Sequence, residues 1–81
     1  MMWFVVAFLR KRRPELGEIT ESYVWDDLEH GWAEVTGTPY RTYEEAVSIG
    51  VFAAATMFDR GNVKIMSLAE LDDYYYDKKL G

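Results

Sequence analysis

The sequence predicts a small α+β domain, in which a mostly antiparallel sheet of about four strands carries two helices. Its 81 residues suffice for one hydrophobic core, so residues 1–81 should form a single domain. Apolar and aromatic segments of strand length occupy the first half, and two helix-capping patterns stand in the second. The predicted order is strand, strand, strand, helix, strand, helix.

The first strand is predicted over residues 3–9, whose apolar side chains alternate onto both faces of the pleat. This pattern is typical of a strand that is covered on both sides. Pro14 and Gly17 form a turn signal, because proline cannot donate a ladder hydrogen bond and glycine relaxes the backbone. The strand should therefore end near Arg12.

Two further strands are predicted before the first helix. The side chains of residues 18–25 alternate between two faces and are rich in β-branched and aromatic types, which favours a strand. Residues 26–31 indicate a turn. Residues 31–36 are predicted to form a short strand that is closed by Gly37 to Pro39. The apolar residues between 22 and 35 also fit a helical spacing. A helix over that segment is therefore the alternative.

A capping box predicts the start of the first helix. The Thr42 hydroxyl should accept from the Glu45 amide, while the Glu45 carboxylate returns to the Thr42 amide. The helix should begin at Tyr43 and run through Phe58, ending before Gly61, which suits a left-handed terminal residue. It is apolar nearly all round, so one face should pack on the sheet, and the last helix or a partner should cover another.

The capping pattern recurs at Ser67 and Glu70, after a predicted fourth strand at residues 62–66. It predicts a C-terminal helix that extends to about Leu80. The stripe expected to face inward consists of Leu68, Leu71 and Tyr75. The carboxylates expected to face outward are Asp72, Asp73 and Asp77.

The composition disfavours an enzyme. The absence of cysteine excludes thiol nucleophiles, disulfides and thiolate metal sites. The single histidine, His30, lies in a predicted turn among carboxylates, and a solvated turn residue is the interpretation that its spacing favours. We find no nucleophile elbow, phosphate-binding glycine loop, zinc-protease helix or calcium loop. We therefore expect no catalytic activity, no metal and no cofactor.

The N-terminal apolar run disfavours a membrane location. It covers residues 1–9, whereas a membrane span needs about 20 apolar residues. Its positive charges follow the run instead of preceding it, unlike those of a signal peptide. Together with the lack of cysteine, this pattern predicts a cytoplasmic protein, in the host cytoplasm if the chain is phage-encoded.

Charge is unevenly distributed. Four of the nine basic residues form the run Arg10–Arg13, which leaves five basic residues against 14 acidic ones elsewhere. Such a surface favours a basic protein partner and disfavours nucleic acid and membranes. The run could bind phosphate, but alternate strand residues point to opposite faces and split it two and two. Its other interpretation is that it neutralises acidic neighbours such as Glu15 and Glu18.

Aromatic residues predict the binding surface. Residues 74–76 are consecutive tyrosines about 100° apart on a helix, so at least one ring must be exposed. Exposed rings among carboxylates are typical of protein-binding surfaces. The predicted partner-binding residues, which form two clusters rich in carboxylates and rings, are Asp26, Asp27, Glu29, Trp32, Asp72, Asp73, Tyr74, Tyr76 and Asp77.

In size, acidity, aromatic content and lack of cysteine the chain is similar to small phage-encoded inhibitors such as anti-CRISPR proteins, some of which mimic the charge of nucleic acid. The likeness is one of composition, so it implies no particular site. We expect a non-enzymatic protein-binding domain that occupies the basic site of a nucleic-acid-handling protein. The alternatives are a nucleic-acid-binding module that uses Arg10–Arg13, and a homo-oligomeric structural or accessory subunit that associates through the apolar helix.

Overall fold

The computed structural model describes residues 1–34, 37–56 and 62–80, with side chains up to residue 76 in the last range. Four antiparallel strands and two helices follow in the predicted order. They are β1 (Trp3–Arg13), β2 (Gly17–Asp26), β3 (Gly31–Ala33), α1 (Tyr43–Ala54), β4 (Asn62–Ser67) and α2 (Leu68–Leu80). The predicted α+β class, with a small antiparallel sheet and two helices, is confirmed.

The first two strands form a hairpin. Arg13 pairs with Gly17, so β1 continues one residue beyond the predicted end. The Leu16 amide donates to the Arg13 carbonyl over 3.3 Å within the connecting turn. Gly17 has a φ of 74°, a left-handed conformation that glycine adopts without a steric penalty.

The segment after β2 is a strand pair and not a helix. Trp25 of β2 pairs with Trp32 of β3, which overturns the alternative of a helix between residues 22 and 35. β3 ends at Ala33, earlier than the predicted residue 36, and residues 35 and 36 lie outside the described ranges. The chain then returns to β2, because the Thr38 amide donates to the Trp25 carbonyl over 2.9 Å.

The sheet separates two helical layers. Its strand order is β3-β2-β1-β4, and Val5 and Val6 of β1 are fully buried on opposite faces. Val5 packs in a core cluster with Ala46 of α1, whereas Val6 packs in a second cluster with Leu71 of α2. The two helices therefore lie on opposite faces, and α2 cannot cover the outer face of α1.

The first helix is shorter than predicted. It ends at Ala54 after 12 residues, so the expected long apolar helix running through Phe58 is not observed. The Thr56 hydroxyl donates to the Ala53 carbonyl over 2.7 Å, and such a local bond competes with continuation of the helix. Gly61, the predicted stop, lies outside the described ranges, as does Phe58.

Small residues let α1 approach the sheet closely. The buried positions of the helix are Ala46, Gly50 and Ala53, spaced by four and three residues along one face. A Cβ at Gly50 would lie 3.0 Å from Cδ1 of Ile65 in β4. This close approach places the helix against β1 and β4, while Val51 on its outer side stays 72% exposed.

Replacing Thr42 by alanine is expected to lower the free energy of unfolding by about 1 kcal/mol. The Thr42 hydroxyl accepts from the Glu45 amide over 3.1 Å, as predicted, but among the described residues the Thr42 amide does not donate to the Glu45 carboxylate, so only half of the predicted capping box forms. Loss of the hydroxyl leaves the Glu45 amide without a cap. Ser48→Ala is the matched control, since Ser48 is exposed within the helix and alanine favours helical structure. Urea titration of both variants measures the difference, and an unchanged midpoint for Thr42→Ala would contradict the prediction.

The second helix has a complete capping box. The Glu70 amide donates to Oγ of Ser67, and the Ser67 amide donates to Oε1 of Glu70, each over 3.2 Å. Leu71 and Tyr75 pack inward as predicted, but Leu68 is 46% exposed and the prediction for it is wrong. The sheet ends where Ser67 pairs with Trp3, so the first turn of α2 extends past it.

Candidate functional site

The outer face of α2 carries part of the predicted binding surface. Asp72 and Asp73 are exposed, and Tyr76 is 64% exposed, which confirms that one of the three consecutive rings faces outward. Leu71 and Tyr75, one helical turn apart, pack on the sheet and thereby orient the three outward residues. The side chain of Asp77 lies outside the described part of the chain.

The turn between β2 and β3 holds the second predicted cluster. The Asp26 carboxylate accepts from the Leu28 amide over 2.9 Å, which closes the turn. The Asp27 carboxylate accepts from Nε1 of Trp25 over 2.9 Å. Both carboxylates therefore stabilise the turn and the core beside it, whereas Glu29 is exposed.

Two of the predicted aromatic residues pack against neighbouring rings. Trp32 packs edge-on against Trp25, with ring centroids 5.3 Å apart. Tyr74 packs against Phe8 of β1 and against Tyr75, at 5.2 and 5.6 Å. Both Trp32 and Tyr74 are half-buried, so they offer a partner much less ring surface than Tyr76 does.

The fold separates the two predicted clusters. Asp27 contacts Trp25, which belongs to the core cluster on the α1 side of the sheet. Asp72 and Asp73 project from α2 on the other side. The predicted residues therefore form two surfaces, and the one on α2 is the more accessible to a partner.

Two buried polar atoms lie near the β2–β3 turn. Nε1 of Trp32 and the hydroxyl of Tyr40 have no hydrogen-bond partner among the described residues. Burial raises the pKa of Tyr40 well above its usual range, and the Asp27 carboxylate raises it further. Tyr40 therefore stays protonated, and its ring packs in the α1-side core.

The outer face of α1 is an apolar surface that the sequence analysis did not assign to the site. Val51 and Phe52 are 72% and 60% exposed, and Tyr43 and Val47 are exposed on the same helix. No charged residue occurs from position 46 to position 56. That charge-free run is the sequence signal for this surface, but which side chains face outward depends on how α1 packs.

Most of the basic run is engaged in ion pairs with β2. Lys11 and Arg13 contact the Glu21 carboxylate at 3.1 and 2.7 Å, and Arg10 contacts Glu18 at 3.7 Å. The pairing of Arg10 with Glu18 agrees with the interpretation that the run neutralises acidic neighbours. Glu21 has no distinguishing signal in the sequence and becomes the centre of the charged group only through the hairpin register.

The Glu21 carboxylate predicts a stability effect at acidic pH. Hydrogen bonds from Tyr23, then from Arg13 and Lys11, lower the pKa of Glu21 from 4.5 to about 2. A lowered folded-state pKa means that the charged group stabilises the fold fully above its unfolded pKa, and that this contribution disappears as the pH falls toward 2. Glu21→Gln should therefore lower the thermal midpoint at pH 7 and have almost no effect near pH 2.

Glu15→Gln is the matched control for this experiment, because Glu15 is an exposed glutamate in the turn of the same hairpin. Its thermal midpoint should follow that of the unaltered protein at every pH. A difference between Glu21→Gln and the unaltered protein that stays constant from pH 7 to pH 2 would contradict the assignment.

His30 is exposed and has a φ of 51°. Within the described ranges, no group of three or more histidine, aspartate or glutamate side chains is placed to hold a metal ion. Among the same residues, no helix is long and apolar enough to cross a bilayer.

Comparison with known proteins identifies no relative. No protein-family model matches the chain, and no curated protein or solved structure shows significant similarity to it.

Proposed function

We propose that the chain is a non-enzymatic protein-binding domain that docks through the outer face of α2. One observation supports this best: Asp72, Asp73 and Tyr76 are exposed together on a helix that Leu71 and Tyr75 anchor to the sheet. A ring and two carboxylates held on a rigid helix need little further ordering on binding, which favours affinity.

The proposed partner is a protein with a basic surface. The net charge of −5 attracts such a partner over long range, and the carboxylates of α2 steer it to the correct face. The Tyr76 ring then supplies short-range contact that slows dissociation. Glu29 adds charge from the β2–β3 turn, whereas Asp26 and Asp27 contribute less because internal hydrogen bonds hold them.

A basic site that handles nucleic acid is the class of partner surface that this charge suits best. Occupying it would inhibit the partner, as small acidic phage-encoded inhibitors do. The inhibitory role and the cytoplasmic setting belong to the proposal, and they rest on the size, acidity and aromatic content of the chain.

The double variant Asp72→Lys, Asp73→Lys tests this proposal. Its affinity for the partner recovered from cell lysate should fall more than about tenfold and become less sensitive to salt, because steering and contact charges are both reversed. Tyr76→Ala should act mainly by speeding dissociation. Isothermal titration calorimetry and surface plasmon resonance measure these two effects.

The matched control is the double variant Glu15→Lys, Glu44→Lys. It changes the net charge by the same amount at two exposed positions, one in the β1–β2 turn and one on α1. Equal losses of affinity in the two double variants would mean that net charge alone matters. No loss in the α2 variant would exclude this face as the docking surface.

The nucleic-acid-binding alternative has less support. Lys11 and Arg13 are paired with the Glu21 carboxylate, and Arg10 makes a weaker, exposed pair with Glu18, so the run does not present four available cations. Under the protein-binding proposal, Arg12→Ala and Arg13→Ala should change partner affinity little. Loss of binding in these variants alone would favour nucleic acid, because arginines that contact phosphate release counterions.

A homodimer formed through α1 is a second candidate, favoured by the exposed Val51 and Phe52 on a charge-free helix face. Sedimentation over a concentration series should then show a dimer that Val51→Glu converts to monomer. Leu28→Glu is the matched control, since Leu28 is 93% exposed in a turn away from α1. A monomer at all concentrations would exclude this candidate.

A further inference from the structure

A groove of about 880 Å³ opens on the α2 side of the sheet. It lies where α2 passes over β1 and β4, and its walls include Phe8, Arg10, Asn62, Lys64 and Tyr74. The volume falls within the range of sites that hold small ligands. The proposed function does not use this groove, and the further inference is independent of it.

Strand register brings cations from distant parts of the chain to this side. Arg10 and Arg12 share a face with Phe8, because alternate residues of β1 point the same way. Lys64 of β4 pairs with Val6 of β1, which faces α2, and therefore joins them. The sheet thus builds a group of three cations that the contiguous basic run could not form by itself.

These cations are available to an anion. Arg10 contacts Glu18 at 3.7 Å, but both side chains are largely exposed, and such surface pairs are weak. Neither Arg12 nor Lys64 has an ion pair among the described residues. One further carboxylate, Glu70, lines the groove, where one of its oxygens accepts from the Ser67 amide that caps α2.

Two aromatic rings line the groove. The Phe8 and Tyr74 rings lie 5.2 Å apart at an interplanar angle of 73°, and Nζ of Lys64 lies 5.9 Å from the Phe8 centroid. On β1, Val6 pairs with Lys64 and lies four residues before Arg10. At the rise of a strand, the backbone positions of Lys64 and Arg10 are therefore about 13 Å apart along β1. The Lys64 ammonium thus lies over the Phe8 ring, and Arg10 follows Phe8 on the same face of β1.

We propose that this groove binds a nucleotide. Arg10 and Lys64 contact the phosphate, and the flat base packs against the Phe8 and Tyr74 rings, as bases do on proteins that bind single strands. The same chemistry is offered by a free mononucleotide and by one residue of a single-stranded chain. Both sources are therefore included in the test.

The test is an NMR titration of the ¹⁵N-labelled protein with AMP, with adenosine and inorganic phosphate as separate probes. Amide shifts should cluster at residues 8–10 and 62–66. AMP should bind at least about tenfold more tightly than either probe, because only AMP combines base stacking with charge. Shifts that cluster elsewhere, or no saturable binding by AMP or by tetraadenylate, would overturn the proposal.

Two variants and a matched control locate the contacts. Lys64→Gln and Arg10→Gln should each weaken AMP binding by about fivefold or more, because each removes a charged phosphate contact. Lys11→Gln removes the same charge from the opposite face of β1 and should leave affinity unchanged. Thermal melting verifies that each variant is folded, and equal weakening by Lys11→Gln would contradict the proposal.

Tetraadenylate distinguishes the two nucleotide sources. Binding at least about tenfold tighter than that of AMP, with a steeper salt dependence, would assign the groove to single strands, because several phosphates then release counterions. Binding equal to that of AMP would assign it to a free mononucleotide. Either result supports the groove as a nucleotide site, provided that Lys64→Gln weakens it.

Discussion

Replacing Trp25 by alanine is expected to lower the free energy of unfolding by about 3–5 kcal/mol. Trp25 is 1% exposed and is the largest fully buried side chain in the described core. Its ring contacts those of Trp32 and Phe52 edge-on, at 5.3 and 6.0 Å, so it joins β3 and α1 to the sheet. In a domain of this size, the loss is a large part of the total stability.

Urea titration followed by circular dichroism measures this loss. Two further variants separate the contribution of the buried ring from that of the indole nitrogen. Trp25→Phe keeps a buried ring but removes the indole nitrogen, and Asp27→Ala leaves that nitrogen without its acceptor, at a cost of about 1–3 kcal/mol. Tyr76→Ala is the control because its ring is largely exposed. Similar losses for Trp25→Ala and Tyr76→Ala would contradict the assignment of Trp25 to the core.

Replacing Gly37 by alanine is expected to lower the free energy of unfolding by about 1–3 kcal/mol. The added Cβ would lie 2.0 Å from Cγ1 and 2.7 Å from Cβ of Val24, and 3.2 Å from the Trp25 carbonyl oxygen. Val24 is a buried strand residue that packs against Leu71, so it has little room to move. The neighbouring bond from the Thr38 amide to the Trp25 carbonyl also resists a backbone shift.

A double-mutant cycle tests the cause of this loss. Val24→Ala removes the clashing methyl groups, so Gly37→Ala should cost less in that background than in the unaltered protein. Gly31→Ala is the matched control, because its Cβ would meet only the Glu29 carbonyl oxygen, at 3.8 Å. The same cost for Gly37→Ala in both backgrounds would show that the contact with the Val24 methyl groups is not responsible.

Local signals predicted the boundaries of elements well where a few neighbouring residues determine the backbone conformation. Gly17 terminates the first hairpin turn, and the Thr42 and Ser67 caps begin the two helices at the predicted positions. The end of α1 was predicted too late, because the prediction used Gly61 as the stop signal. The Thr56 hydroxyl instead bonds to the Ala53 carbonyl, which competes with continuation of the helix. Leu68 has an apolar side chain at a suitable helical spacing, but the sheet ends beneath it.

The binding surface was predictable only in part. Helical periodicity correctly predicted that Asp72 and Asp73 face outward, because this prediction requires only the position of the buried stripe. The same reasoning cannot show that the Asp27 carboxylate is bonded to an indole, or that the Trp32 ring packs in the core. These roles depend on how the β2–β3 turn folds back on β2.

Except between residues 22 and 35, where a helix was the alternative, local patterns predict the type and order of the elements, the start of both helices and the division of the basic run between two faces. Each of these features depends on spacing or capping within a few residues, where backbone geometry allows few conformations. Three features depend on tertiary packing: the helices lie on opposite faces of the sheet, Glu21 pairs with two cations, and Lys64 joins Arg10 beside the groove. These contacts join segments that are far apart in the chain. They depend on strand register and helix packing, which no local pattern specifies.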